Sequence, residues 1–509
     1  MSPPVLTTTA AATPMTSRPK FRRSHSHQGS NDSLTGVSGL ESTNNDDETP
    51  HVNFFLDNRL PVEYFKQDIV KLAHGLRISR WKRVELAMAN DIIVSRISGA
   101  LTNAVYSVDP PPYLKDQIKK SYKSDGTNRT YHTKVPQRIL LRVYGPQVAH
   151  IIDREQELTT VARLSARNIG PRLLGTFQNG RFEQFLHAKP LTKNDIRDPD
   201  VSVQIAKRMR ELHDNVELLE DERAKGPGVW LSIDKWMVRA GEKLKELEAS
   251  QPGAAQKLLQ CADWTEFLTM VRKYKEWITE KYGKDQIIKE LVFAHNDTQY
   301  GNILRIEPPK GSPLLMPRNE HRQLVVIDFE YSSGNPRGFD ISNHFCEWMS
   351  DFHDPERPYH IHHDKYPTLK ERMNLIDSYV EHGYDDFDHE DQMEKEAKQL
   401  LQETIDWRPA VSAYWCIWGI VQAVIDTDED LHLREQKDIA NGSYKFQTGD
   451  STTDSPSLDM EVEEEEDAVF DYIAYSTEKA QLFWTDMINL GLLPASEYKG
   501  TLKPMPLLE

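Results

Sequence analysis

The sequence predicts an α/β protein of the α+β kind in two lobes, a small one around an antiparallel sheet and a large, mostly helical one. Three observations point there. A length of 509 residues can hold two sizeable lobes plus tails. Strand-like runs recur before residue 186, at 92–94, 137–145, 173–177 and 181–186. Beyond residue 187 the apolar spacing turns helical, at 205–219 and 235–247. That helical stretch is interrupted by two apolar runs, 291–294 and 324–327, which read as buried strands.

Composition narrows the function classes. Lys and Arg number 62 against 79 Asp and Glu, a net charge of −17, and −12 of it falls between Asp426 and Asp467. The rest is near neutral, which argues against nucleic acid as a main partner. The 3 cysteines, Cys261, Cys346 and Cys416, show no paired spacing, so a reducing compartment is expected. The N-terminus has no continuous apolar core of a signal peptide. The most apolar long stretch, 410–425, contains Ser412 and Gln422 and is short for a membrane span. A cytoplasmic protein without a transmembrane segment is expected.

Residues 1–50 are rich in Ser, Thr, Pro and Asn, and a disordered tail is expected there. Its early basic residues would suit a mitochondrial presequence, but Pro3, Pro4, Pro14 and Pro19 interrupt the amphipathic helix that one needs. The small lobe is assigned to 51–186, with helices over 58–90. Residues 92–108 read as strand, tight loop, strand, and the small-residue loop Ser98-Gly99-Ala100 leads to Asn103. Backbone N–H groups in such a loop can approach a phosphate. The Pro- and Lys-rich segment 109–136 is expected to be a loop. The next strand carries Arg142, and the helix after it carries Glu157, the expected partner of Arg142, before Asn168-Ile169-Gly170-Pro171 stops it.

The large lobe is assigned to 187–509. Trp230 and Trp236 read as core. The histidines at 353, 360, 362 and 363 lack the companions of a metal site and read as a solvated loop. A helix over 409–425 puts Trp415 and Trp418 on one face. An acidic insert at 427–467 is expected to be disordered, and a last helix runs over 472–490.

The most informative residues lie at 291–348. Each apolar run there ends in an Asp, Asp297 and Asp328, and Asn302 follows Asp297 with the D-x-x-x-x-N spacing of a kinase catalytic loop. Phosphoryl transfer needs one carboxylate to orient the attacking hydroxyl and further oxygens to hold Mg2+ on the phosphates. Asp297 suits the first role; Asn302 and Asp328 suit the second.

The segment HNDTQYGN resembles the loop shared by choline kinases and aminoglycoside phosphotransferases, and IDFEYSSGNPRGFDISNHFCEW resembles the choline/ethanolamine kinase signature. The resemblance spans about residues 85–490 outside the two inserts. It implies a two-lobe protein-kinase-like fold, ATP and Mg2+ as cofactors, and phosphorylation of choline, with ethanolamine secondary. A homodimer is a common state of the family. It implies nucleotide binding by Ser98, Gly99, Asn103, Arg142, Glu157, Gln299 and Asp328, with the hinge at Gln184 and Phe185. It implies a choline pocket of Asp297, Glu347, Phe352, Trp415, Trp418, Phe470 and Tyr475.

Two departures from the family pattern stand out. Ala100 replaces a glycine of the phosphate loop, and its Cβ restricts positive φ. Phe352 stands where the family often has Tyr. The alternatives are an ethanolamine kinase and a catalytically impaired choline-binding regulator. The latter is favoured only by Ala100 and opposed by the intact Asp297, Asn302 and Asp328.

Overall fold

A computed structural model describes residues 49–97, 103–124, 135–144, 154–167, 169–385, 389–425 and 470–506. Most of the expected N-terminal tail, the acidic insert and the phosphate loop at 98–102 lie outside the described residues.

The small lobe is a six-stranded sheet in the order β1-β5-β6-β4-β3-β2. Its strands are β1 (His51–Val52), β2 (Ile93–Arg96), β3 (Asn103–Asp109), β4 (Ile139–Tyr144), β5 (Leu173–Phe177) and β6 (Gly180–Gln184). The pairing is antiparallel except at the edge, where β1 joins β5 in parallel. Gly180 opens β6 because a Cβ there would fall 2.3 Å from the Arg142 carbonyl oxygen. Helices α1 (Val62–Gly75), α2 (Leu114–Ser124) and α3 (Arg154–Ala166) belong to this part of the chain. Leu141, Val143, Phe177 and Phe182 form its core with Ile69 and Leu72 of α1.

Helix α2 corrects the loop expected over 109–136. Leu114 and Ile118, one turn apart, are both buried and anchor it, while Pro110, Pro111 and Pro112 precede its first turn, where proline costs no helical hydrogen bond.

The large lobe begins with β7 (Ala188–Pro190), which pairs with β9 (Ile303–Ile306), itself paired with β10 (Leu324–Val326). A second small ribbon joins β8 (Val292–Ala294) to β11 (Ser333–Asn335). The helices are α4 (Pro199–Asn215), α5 (Glu220–Ala224), α6 (Gly228–Ser250), α7 (Ala254–Leu259), α8 (Trp264–Tyr282), α9 (Lys284–Glu290), α10 (Arg337–Glu347), α11 (Leu369–Glu381), α12 (Glu390–Gln422) and α13 (Tyr472–Asn489). Trp230 and Trp236 are buried on α6.

Helix α12 corrects the expected start at Pro409: it begins at Glu390 and carries Pro409 inside. An interior proline forfeits a hydrogen bond at a cost of about 3 kcal/mol. Burial offsets this, because every residue from Glu403 to Val421 is buried, including four aromatics. Against α12 pack α10 and α13. At the first crossing, a Cβ on Gly338 would meet the Glu403 Cβ at 2.7 Å.

The histidine-rich segment is a loop, but a tied one. His353 Nδ1 lies 3.0 Å from the Tyr300 hydroxyl, and His360 Nδ1 lies 2.8 Å from Glu478. The three cysteines are free. Among the described residues no helix is long and apolar enough to cross a membrane.

Candidate active site

The Asp297 loop is pinned before it can do chemistry. Asn296 takes a left-handed φ of 67° at the end of β8, a conformation that Asn tolerates better than most residues. Asp340, in the first turn of α10, accepts the N–H groups of His295 at 3.1 Å and Asn296 at 2.6 Å, and His213 Nε2 stands 2.8 Å from it. Burial alone would raise the Asp340 carboxyl, but the hydrogen bond and charge of His213 hold it below the usual carboxylate range. Asn296 Nδ2 donates to the Tyr331 carbonyl at 2.8 Å and to Ser333 Oγ at 2.9 Å, tying the loop to β11.

The β9–β10 pairing brings the second carboxylate alongside. Val326 stands opposite Ile303, and the Ile327 N–H reaches the Asn302 carbonyl at 2.9 Å. Asn302 Nδ2 donates to Asp297 Oδ2 at 2.8 Å and to its carbonyl at 3.0 Å. Asp328 follows β10 with a φ of 66°. Asp297 is half-buried; burial, then the charges of Glu347, Asp328 and Glu330, push its carboxyl well above the usual range. So many acids together call for cations, and their hard oxygens suit a divalent ion such as Mg2+. With Nδ2 of Asn302 on Asp297, its Oδ1 is the amide atom left for such an ion. Gln299 Oε1 accepts the Gly301 N–H at 2.7 Å and so shapes this turn.

On the small-lobe side, Arg142 Nη1 lies 3.4 Å from both Asp328 oxygens. Arg142 and Arg181 are cross-strand partners on β4 and β6. The sequence pairs Glu157 with Arg142; in the structure its 2.6 Å partner is Arg181 Nη1. Glu183 joins the two arginines, bonded to Arg181 Nε and 4.0 Å from Arg142 Nε. All four side chains are buried. Gln184 ends β6, and 185–187 lead straight into β7, so Gln184 and Phe185 stand at the link between the two sheets. Arg138 lies over the Phe185 ring at 4.9 Å. Asn103 begins β3, but its side chain, like Ser98, Gly99 and Ala100, lies outside the description.

The remaining wall is aromatic. Tyr331 meets Trp415 edge to face at 5.3 Å, and Trp415 meets Trp418 at 5.2 Å. Tyr475 lies 6.1 Å from Trp418 and 5.4 Å from Phe470, while Phe352 bridges Phe470 at 6.5 Å and Tyr300 at 5.9 Å. The indole N–H groups are already engaged, Trp415 with Asn343 Oδ1 at 2.7 Å and Trp418 with the Tyr331 hydroxyl at 2.9 Å. What remains is ring surface. Glu347, at the end of α10, is buried with Oε2 lacking a hydrogen-bond partner. Burial raises its carboxyl, although Lys479 and Ser350 oppose the rise.

The structure therefore brings together Asp297, Asn302, Asp328 and Arg142, and gathers Trp415, Trp418, Phe470, Tyr475 and Phe352 into one aromatic chain. Sequence reasoning missed Tyr331, at the centre of that wall, and Asp340, which holds the loop. Both sit inside the signature run, and Asp340 was detectable as an acid flanked by Phe339 and Ile341.

A separate cluster, Glu211, His321 and His382, has ligand-like spacing. Arg208 and Arg322 already hold the Glu211 carboxylate, so it reads as an ion-pair hub joining α4 to the loop before β10.

Fold and site together define a two-lobed kinase. The choline/ethanolamine kinase family profile matches residues 94–484, and the choline kinase N-terminus profile matches 41–90. The chain belongs to the choline/ethanolamine kinase family. It is 36% identical to the choline kinase of Saccharomyces cerevisiae, covering 89% of this chain and 81% of that protein. It is 31% identical to the ethanolamine kinase of the same yeast, covering 90% and 83%. Among solved structures, an ethanolamine kinase of Plasmodium vivax aligns with a TM-score of 0.52 at 21% identity, over 76% of this chain and 92% of that one. A choline kinase of Cryptosporidium parvum aligns at 0.51 and 20%, over 85% and 99%. Both share the protein-kinase-like fold.

Proposed function

We propose that this chain transfers the γ-phosphate of ATP to the hydroxyl of choline, giving phosphocholine and ADP, with ethanolamine as a lesser acceptor. The observation that carries this reading is the adjacency of two unlike walls. Asp297 is fixed by Asn302 near Asp328, and its neighbour Asn296 bonds the carbonyl of Tyr331, a member of the aromatic chain, at 2.8 Å. A quaternary ammonium cannot donate a hydrogen bond, so it needs ring faces and a carboxylate. Trp415, Trp418, Tyr475, Phe470, Phe352 and Glu347 supply them. A primary ammonium prefers carboxylates and carbonyls, and is served less well.

Asp297 orients the choline hydroxyl and accepts its proton, a role that suits a carboxyl whose proton affinity is raised. Asn302 and Asp328 would hold Mg2+, which when bound neutralises phosphate charge. Arg142 stands ready to turn from Asp328 to a phosphate, with Arg181, Glu183 and Glu157 bracing it. The backbone at Gln184 and Phe185 would meet the adenine edge. Ser98, Gly99 and Asn103 would approach the phosphates, and Gln299 keeps the catalytic turn in shape. The product would open the CDP-choline route to phosphatidylcholine, in the cytoplasm, a setting in keeping with three free cysteines. Resemblance alone supports a homodimer.

The test is product formation with Mg-ATP, offering choline and ethanolamine separately, with Asp297→Ala beside the wild type. Choline turnover should exceed ethanolamine turnover and fall about 10³-fold or more in the variant. A wild type that favours ethanolamine, or a variant within about tenfold of it, overturns the reading.

A further inference from the structure

Lys479 lies on α13, one helical turn beyond Tyr475, and only 1% of it is exposed. Its Nζ sits 5.1 Å over the Tyr475 ring and has no hydrogen-bond partner. A buried ammonium in that state is costly unless an opposite charge stands near. Asp486 is held by both arms of Arg408, and Glu478 by Lys503, His360 and the Ile361 N–H. The buried thiols of Cys346 and Cys416 feel the Lys479 charge but are pushed far up by burial, so they stay neutral. Glu347 remains: 2% exposed, acted on by Lys479, with its own Oε2 unpartnered. A buried cation over the Tyr475 ring on α13 thus acts on a buried carboxyl of α10 that has one oxygen open.

We propose that Lys479 is a specificity-determining residue, a resident cation that acts through Glu347 on the ammonium end of the acceptor alcohol. This rests on the function proposed above. Lys479 holds Glu347 as a carboxylate within an otherwise apolar wall, while no direct bond between them blocks that carboxylate. Without Lys479 burial raises the Glu347 carboxyl further, towards its neutral form, with only Ser350 opposing. A quaternary ammonium would keep the ring faces and lose part of its binding. A primary ammonium, which depends on the carboxylate, would lose more. The Asp297 carboxyl would ease downward, because the Glu347 charge is one of those that raise it.

The test is a double-mutant cycle, Lys479→Met, Glu347→Gln and both together, with KM and kcat measured for choline and ethanolamine. Lys479→Met should raise the choline KM roughly tenfold, on the scale of a lost bond to a charged group. It should raise the ethanolamine KM further and change kcat less than KM. Glu347→Gln should behave likewise, and the double variant should be no worse than Glu347→Gln alone. Lys479→Arg, which keeps the charge, should stay closer to wild type than Lys479→Met. Additive effects, a loss in kcat with KM unchanged, or equal losses for both alcohols would overturn the inference while leaving the kinase reading intact. Should Lys479→Met fail to fold, Lys479→Arg is compared with Glu347→Gln, and equal selectivity in the two overturns it. A wild type inert on both alcohols would overturn the proposed function and this inference with it.

Discussion

Beside the wall formed by Arg142, Arg181, Glu157 and Glu183, where buried charges are matched by guanidinium–carboxylate contacts within 4.0 Å, the opposite wall offers rings and a buried acid with one oxygen left open. On the proposed function, the two differ because their ligands differ. A phosphate chain carries charge and many acceptor oxygens, so fixed donors with fixed counter-charges serve it. A trimethylammonium group offers neither donor nor acceptor, so side-chain polarity on its wall must be tied up elsewhere. The indole bonds to Asn343 and Tyr331 do that. Rigidity and selectivity thus fall to different walls: the first should matter for folding and phosphate chemistry, the second for which alcohol enters.

Breaking the first wall should have the largest effect. Arg181→Met removes the nearest cation from buried Glu157 and Glu183 and should cost about 3–5 kcal/mol of stability, read from denaturant melts. Burial raises the Glu183 carboxyl, but Arg181 and Arg142 outweigh it and hold the group below its ordinary value. Its stabilisation is complete above the ordinary glutamate range and is lost as pH falls through the folded value. The gap between wild type and variant should therefore be widest near neutrality and narrow in acid. Next comes Asp328→Asn, which should cut kcat about a hundredfold or more with a near-normal melt. An equally large loss of stability would show that the Arg142–Asp328 contact is structural. Trp418→Leu should raise the choline KM by roughly tenfold, on the scale of a desolvated cation–π contact, and spare kcat. Smallest is Phe352→Tyr, worth under about 1 kcal/mol in choline binding, which would sharpen the contrast by showing how little an added hydroxyl helps a ring wall.

Much of this was legible in the sequence, because strand-terminal acids and the spacing of Asp297 to Asn302 are local signals. Trp415 and Trp418 also shared a face on helical spacing alone. Other parts were not local. Whether Glu157 meets Arg142 or Arg181 depends on two arginines standing opposite each other in the β4–β6 register, which neither strand announces by itself. The lysines of α2 concealed an apolar pair, Leu114 and Ile118, that only the packed lobe reveals as an anchor. Pro409 reads as a helix start, and only the completeness of burial around α12 explains why the helix runs through it.

The left-handed backbone at Asp328, with φ at 66°, also bears on how such a chain can change over generations. Among residues with a β-carbon, aspartate and asparagine are enriched in that conformation, while branched side chains are strained there. The easiest drift at this position is therefore to asparagine, which keeps the turn and removes the charge. On the proposed function, descendants that gave up phosphoryl transfer by this step would keep the turn and the aromatic wall that faces the alcohol.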